Sequence, residues 1–163
     1  MEKELYFLRS SEQKIVKDML KYAHNYTQDL DKYSNFYGLT RKDLGLYALL
    51  NNEITGAIWT RKLLTEHNSA GFIDENTPVI SMAVLPKFRN SGIGSFMMEQ
   101  FLQEAGAVYK QVSVYVANDK KVINFYKKFG FEMVDSKQIM VKKLINKEII
   151  RPTDGYDPTR WMD

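Results

Sequence analysis

The chain has 163 residues, which is enough for one domain with a substantial core and too few for two ordinary domains. Its residues are 44% hydrophobic and 26% charged, values typical of a globular protein, which excludes a disordered or fibrous chain. The net charge is only +3, and the Lys and Arg residues are dispersed in small clusters, so nucleic acid is not an expected partner.

The residue types that the chain lacks exclude several classes of site. Cysteine is absent, which excludes disulfides, thiolate metal sites and a cysteine nucleophile, and is consistent with the cytoplasmic location that we expect. The two histidines, His24 and His67, do not form the HExxH spacing of a zinc enzyme, so no metal is expected. No apolar run reaches the ~18 residues of a membrane span, and no secretory segment is apparent, so no membrane association is expected.

The first predicted helix follows Ser10 or Ser11, either of which can cap it. Its apolar residues recur at helical spacing: Ile15, Val16, Met19, Leu20 and Ala23. The next stretch is rich in aromatic side chains: Tyr22, Tyr26, Tyr33, Phe36 and Tyr37. It is either a second short helix packed on the core or a lid over a substrate cleft.

A β-hairpin is predicted next, with strands at residues 46–50 and 54–61. The turn between them contains Asn51 and Asn52, which tolerate the positive φ of a short hairpin. A short apolar run at residues 79–85 is bounded by prolines and has the length of a buried strand.

A helix is predicted after Gly94, because Ile93, Met97, Phe101, Leu102 and Ala105 share one face. A strand at residues 111–116, a short helix ending at Gly130 and two closing strands at 131–134 and 138–144 follow. This order predicts an α/β domain with a mixed sheet over residues 1–145. Residues 146–163 change in composition and are predicted to be a C-terminal tail.

The segment from Pro86 to Gly94 links the predicted buried strand to the amphipathic helix. Glycine at positions 92 and 94 allows a sharp turn and a close approach of the backbone to a ligand. The first N–H groups of a helix are unpaired and bind phosphate well. The segment lacks the Gly-Lys-Ser/Thr of a P-loop and the third glycine of a Rossmann fingerprint, so both of these sites are excluded.

The run ISMAVLPKFRNSGIGSFMMEQFL resembles the strand-loop-helix of the GNAT N-acetyltransferases, whose signature is Q/R-x-x-G-x-G/A. Residues 89–94 match that signature at each specified position, and residues 124–131, NFYKKFGF, resemble the family's x-x-Y-x-x-x-G-F helix. Residues 43–45, 56–59, 71–72 and 77–78 are also similar to one group of small GNAT proteins, so the resemblance covers about residues 40–145. It implies a mixed, mostly antiparallel sheet that is splayed between its fourth and fifth strands and flanked by helices.

The resemblance also implies roles for individual residues. Acetyl-CoA is the implied cosubstrate, and its pantetheine arm is expected along Met82, Ala83 and Val84. Its pyrophosphate is expected on the segment Arg89, Asn90, Ser91, Gly92, Ile93, Gly94 and Ser95. Tyr126 matches a tyrosine that many family members place near the coenzyme sulfur, and is the expected general acid. A phenol, with an ordinary pKa of about 10, can donate a proton to a departing thiolate.

At two positions the chain departs from the family pattern. Where the family commonly has an asparagine that meets the pantetheine, this chain has Asp119, so a one-residue shift would assign that role to Asn118. Where many members use a glutamate as base, this chain has Val79. Glu75 is the residue chosen as base, with Asp74, Glu66, His67 or water left as alternatives. By family position, Tyr33, Phe36 and Tyr37 are expected to line the acceptor cleft.

The expected reaction is direct attack of a primary amine of a small molecule or peptide on the thioester, with no covalent enzyme intermediate. One rival hypothesis is a protein that binds the coenzyme as a sensor without catalysis. A second rival is an acetyltransferase that acts on RNA or on a protein partner, and a Rossmann oxidoreductase is the least supported. The sequence does not identify the acceptor amine. It is also compatible with a homodimer.

Overall fold

The computed structural model describes residues 3–20, 22–23, 43–61, 72–134 and 138–144. The predicted tail, residues 146–163, and the predicted acceptor residues Tyr33, Phe36 and Tyr37 lie outside the described residues. None of the helices in the described ranges combines the length and the apolar composition needed to span a membrane.

The described residues form a seven-stranded sheet with helices on both faces. The elements are β1 (Lys3–Phe7), α1 (Gln13–Leu20), β2 (Gly45–Leu50), β3 (Glu53–Arg61), β4 (Val79–Val84), α2 (Ile93–Gly106), β5 (Gln111–Tyr115), α3 (Lys120–Lys128), β6 (Glu132–Val134) and β7 (Ile139–Lys143). The strand order is β1-β2-β3-β4-β5-β7-β6, with β4 and β5 parallel and the other pairs antiparallel. The prediction of a mixed, mostly antiparallel sheet is confirmed.

The β2–β3 hairpin forms where the sequence predicts it. Asn51 and Asn52 both have positive φ, at 51° and 66°. Since β3 begins at Glu53, the turn contains two residues, whereas the predicted strands left three between them. Two left-handed residues match the twist of the strands that they join, which explains why asparagine is suitable there.

The N-terminal region differs from its prediction in two ways. Residues 3–7, for which the sequence analysis predicts no strand, form β1 at the edge of the sheet. Their partly exposed, charged pattern hides the usual alternation of a strand. Ser10 begins a short 3-10 turn before α1 and is not the cap. The cap is Arg9, whose N–H donates to the Glu12 carboxylate at 2.9 Å.

The parallel strands β4 and β5 pair at only one position. β3 pairs with β4 from Gly56–Val84 to Arg61–Val79, whereas β4 pairs with β5 only at Val79–Ser113. The Ser113 N–H donates to the Pro78 C=O at 3.0 Å, and beyond that point the two strands diverge. The predicted splay between the fourth and fifth strands is therefore confirmed, and it opens the sheet toward the C-terminal ends of β4 and β5.

Two hydrophobic clusters fix the helices to opposite faces of the sheet. α2 and α3 contribute Met97, Phe101 and Tyr126 to one cluster. α1 contributes Val16 and Leu20 to the cluster on the other face. A ligand that enters between β4 and β5 therefore passes from the α2–α3 face toward the α1 face.

The C-terminal end of α2 is tied to the sheet by a buried polar contact. The Tyr109 hydroxyl lies 2.9 Å from the Thr60 hydroxyl on β3. Burial raises the pKa of Tyr109 above its ordinary value, so this side chain stays protonated and hydrogen-bonded at neutral pH. The contact fixes the far end of α2, while its N-terminal end faces the open part of the sheet.

We expect Gly56→Ala to destabilise the fold by about 1–3 kcal/mol because it overpacks the contact between β3 and β4. A Cβ atom at position 56 would lie 2.7 Å from the Ala83 carbonyl oxygen and 3.0 Å from the Met97 methyl carbon. Urea denaturation measures the loss. Gly94→Ala is the matched control, because its Cβ would have contacts of 3.6 Å or more and should change stability little. Equal stability of the two variants would contradict the close packing at Gly56.

Candidate functional site

A cavity of about 530 Å³ lies where β4 and β5 diverge. Its walls come from β4, β5, the N-terminal end of α2 and one side of α3. Ten of the sequence-predicted coenzyme residues line it: Met82, Ala83, Val84, Arg89, Asn90, Gly92, Ile93, Gly94, Ser95 and Tyr126. The structure therefore brings residues that are up to 44 positions apart into one cleft.

The backbone of β4 offers hydrogen-bonding groups to this cleft. The Leu85 N–H donates to the Thr55 C=O on the β3 side at 2.8 Å, which fixes the direction in which each neighbouring residue points. Because the polar groups of successive strand residues point to opposite edges, those of Met82 and Val84 point toward β5. No β5 residue pairs with β4 at these positions. An extended ligand with amide groups fits this edge.

The N-terminal end of α2 forms the second wall of the cleft. Gly92, at φ 84°, is the residue before the helix, and Asn90 is also left-handed at φ 63°. The Phe96 N–H donates to the Gly92 C=O at 3.0 Å, whereas the N–H groups of the preceding turn have no acceptor within the helix. Such a turn binds phosphate through its main chain.

Gly94 leaves space in the cleft that any other residue would fill. A Cβ atom there would lie 3.6 Å from the Phe125 ring and 3.8 Å from the Met82 methyl carbon, both of which line the cavity. A larger side chain at position 94 would therefore extend into the part of the cleft that Phe125 and Met82 line.

The cleft carries a positive charge that suits an anionic ligand. Arg89, Lys121 and Lys128 line it, and Asp119 is the carboxylate that lines it among the described residues. Lys3 adds a further cation, with its Nζ 3.6 Å from the position of a Cβ on Gly92. Salt would weaken the attraction, because these cations are largely exposed.

Tyr126 lies on α3 and is 4% exposed, with its side chain reaching the cavity. Its ring meets the Phe131 ring edge to face at 5.1 Å and the Phe125 ring at 5.3 Å. These contacts hold the ring in one position, so its hydroxyl is placed by packing rather than by a mobile loop.

Three of the predicted residues that the structure describes, Ser91, Asn118 and Glu75, do not line the cavity. Ser91 is exposed, and its hydroxyl donates to the Phe88 C=O. Asn118 is exposed and left-handed at φ 61°, while Asp119 lines the cavity and caps α3 by accepting from Lys121 N–H at 3.0 Å. Glu75 is exposed in a turn before β4, outside the lining residues. The roles predicted for Asn118 and Glu75 therefore gain no geometric support.

Two further tyrosines, Tyr22 and Tyr115, line the cavity. Tyr22 begins the aromatic stretch for which a lid over a substrate cleft is one of the two sequence-based alternatives, whereas the sequence analysis assigns Tyr115 no role. Tyr115 is at the end of β5, and its hydroxyl donates to Gln138 Oε1 at 3.2 Å. Strand alternation opposite the α2–α3 core could have identified Tyr115. Tyr22 follows α1 and packs on the cluster of the α1 face, so it reaches the cleft from the other face of the sheet.

The described residues of the cleft suit a long ligand with an anionic end. Among them, no cluster of three or more His, Asp or Glu side chains is arranged to hold a metal ion. The phosphate-binding turn, the strand edge and the surrounding cations match a long ligand that has phosphates at one end and amides at the other.

A family model described as an acetyltransferase (GNAT) domain matches residues 41–133. The Drosophila melanogaster protein described as "Probable N-acetyltransferase san" is 30% identical over 117 residues, which are 70% of this chain and 57% of that protein. The chain thus matches little more than half the length of this relative.

Similar folds occur in solved structures. The ribosomal-protein-S18-alanine N-acetyltransferase from Escherichia coli is similar with a TM-score of 0.63 and 14% identity, over 96% of this chain and 100% of that one. The GNAT superfamily phosphinothricin acetyltransferase from Sinorhizobium meliloti, solved in complex with AcCoA, has a TM-score of 0.63 and 14% identity, over 97% of both chains. Because the family model covers more than half of the sequence and the fold agrees, the chain belongs to the GNAT acetyltransferase family.

Proposed function

We propose that this protein transfers an acetyl group from acetyl-CoA to a primary amine of a small molecule or peptide. The observation that carries the proposal is the cleft between β4 and β5, with a phosphate-binding turn at one end and Tyr126 beside it. The AcCoA in the Sinorhizobium meliloti structure supports the choice of coenzyme.

In this proposal the chain binds and orients both reactants. The main-chain N–H groups at the start of α2 hold the pyrophosphate, with Arg89 beside them. The β4 edge at Met82 and Val84 pairs with the pantetheine amides and can donate to the acetyl carbonyl oxygen as negative charge develops there. When bound, acetyl-CoA supplies a thioester carbonyl that an unprotonated amine attacks, which forms a C–N bond and breaks the C–S bond.

Two protons must move in this reaction. Tyr126 donates one proton to the departing thiolate. The packing of its ring against Phe125 and Phe131 supports this role, because it restricts the positions that the hydroxyl can take. The other leaves the amine nitrogen, and water is the acceptor that best fits the described cleft. Asp119, the lining carboxylate among the described residues, is engaged in capping α3, and Glu75 lies outside the cavity.

We expect release of coenzyme A from acetyl-CoA when an acceptor amine is added. The experiment uses polyamines, amino acids, aminoglycosides and short peptides, with a thiol-reactive dye as readout. Since the chain has no cysteine, the dye reports only the product thiol. Peptides and small amines are tested side by side, because the two classes are equally compatible with an open cleft.

The sensor hypothesis stays the alternative, and the position of Glu75 outside the cleft favours it. It predicts calorimetric binding of acetyl-CoA with no thiol release for any amine. Tyr33, Phe36 and Tyr37 remain proposed acceptor contacts on the basis of the family resemblance alone.

A further inference from the structure

Arg89 makes two hydrogen bonds that join three parts of the fold. Its Nε donates to the Val84 C=O at the end of β4 at 3.2 Å, and its Nη2 donates to the Tyr22 C=O at 3.2 Å. Arg89 itself follows the short 3-10 turn that leads into the phosphate-binding turn. One guanidinium therefore connects the end of β4, the turn after α1 and the loop before α2.

The residue held by Arg89, Tyr22, belongs to the α1 face of the sheet and also lines the cleft. Tyr22 lies just after α1, where its N–H donates to the Met19 C=O at 2.9 Å, and it packs on the hydrophobic cluster of the α1 face. It also lines the cavity. Since α2 and α3 cover the other face, an acceptor amine approaching from the α1 face would meet Tyr22.

The guanidinium has capacity for a third partner. It carries five N–H donors in a planar fork, and the two bonds to Val84 and Tyr22 use two of them. An anion on the adjoining turn could accept from the others and hold the fork in this orientation. A lysine at this position would keep the charge but could not span two carbonyl groups and an anion in one plane.

We propose that Arg89 is a positioning residue that couples occupancy of the phosphate-binding turn to the position of Tyr22, and that Tyr22 forms the acceptor-side wall of the cleft. The inference rests on the proposed function only in that coenzyme A supplies the anion. Because coupling between two sites is reciprocal, ordering Tyr22 also strengthens coenzyme binding.

Hydrogen exchange at the end of α1, measured with and without coenzyme A, tests the coupling. The reporters are the Tyr22 and Ala23 amides, which donate to the Met19 and Leu20 carbonyls at 2.9 and 3.0 Å. In the wild-type protein, saturating coenzyme A should slow their exchange by about tenfold. In Arg89→Lys, saturated at a higher concentration if needed, the slowing should be lost, although the positive charge is retained.

Lys87→Met is the matched control, since it removes a cation from the same loop. Lys87 pairs with Glu53 at 2.8 Å, and among the described residues no hydrogen bond or ion pair joins it to α1, so the slowing should persist. Equal slowing in the wild type and in Arg89→Lys would overturn the coupling, and so would a wild type that binds coenzyme A without any slowing. A wild type that does not bind coenzyme A would instead contradict the proposed function.

Tyr22→Leu changes the side chain that would form the wall of the cleft and keeps the backbone C=O that Arg89 binds, so it tests the wall independently of the coupling. With the best acceptor from the amine panel, the KM for the amine should rise about tenfold, while the Kd for coenzyme A should stay within about twofold. An unchanged amine KM would remove Tyr22 from the acceptor side of the cleft.

Discussion

Gly94→Val should abolish coenzyme A binding while the protein remains folded. The branched side chain would occupy the gap bounded by the Phe125 ring and the Met82 methyl group, which stand 3.6 and 3.8 Å from the Cβ position. It would displace the phosphate from the N–H groups of α2. Each charge-assisted hydrogen bond contributes about 1.5–3 kcal/mol, so losing two should weaken binding by about 100-fold or more.

Calorimetry with coenzyme A and thermal unfolding together decide this prediction. Gly94→Ala is the smaller step and should weaken binding less. Gly92→Val is a poorer test, because Gly92 has φ 84° and a branched residue there strains the backbone even without ligand. Unchanged affinity in a folded Gly94→Val variant would place the pyrophosphate elsewhere.

The parts of the fold that the sequence predicts correctly are those set by local chemistry. The Asn51-Asn52 turn, the buried β4 run and the apolar face of α2 each depend on neighbouring residues only. β1 is missed because its register depends on pairing with β2, about 40 residues away in sequence. The insertion of β7 between β5 and β6 is likewise a matter of tertiary pairing.

The residues of the candidate site likewise fall into those that local sequence predicts and those that tertiary contacts determine. The predicted phosphate-binding turn, residues 89–95, is a continuous motif, and the structure brings most of it to the cleft. Asn118 and Asp119 cannot be distinguished by spacing, because the left-handed conformation of Ala117 and Asn118 decides which side chain faces inward. The bond from Arg89 to Tyr22 spans 67 positions and has no sequence signature. Glu75 is the base predicted from its position just before β4 in the sequence, but it lies in an exposed turn and is not among the residues that line the cleft.

Tyr126→Phe should lower kcat by about 10²–10⁴-fold, the range typical of general acid catalysis, with little change in coenzyme affinity. The substitution keeps the ring and therefore its edge-to-face contacts with Phe125 and Phe131. Only the hydroxyl is lost, so the free energy of unfolding should change by much less than a core truncation would change it.

The dependence on the leaving group distinguishes an acid from a packing residue. An acetyl donor with a more acidic thiol needs less protonation as it departs, so the deficit of Tyr126→Phe should shrink with that donor. Tyr109→Phe is the matched control: it removes a hydroxyl bonded to Thr60 at the far end of α2 and should leave kcat unchanged. If Tyr126→Phe were fully active with both donors, its hydroxyl would have no part in the chemistry, and water would be the proton source. A deficit that is equal for both donors would instead indicate that the hydroxyl positions the thioester, because only proton transfer to sulfur responds to the acidity of the thiol.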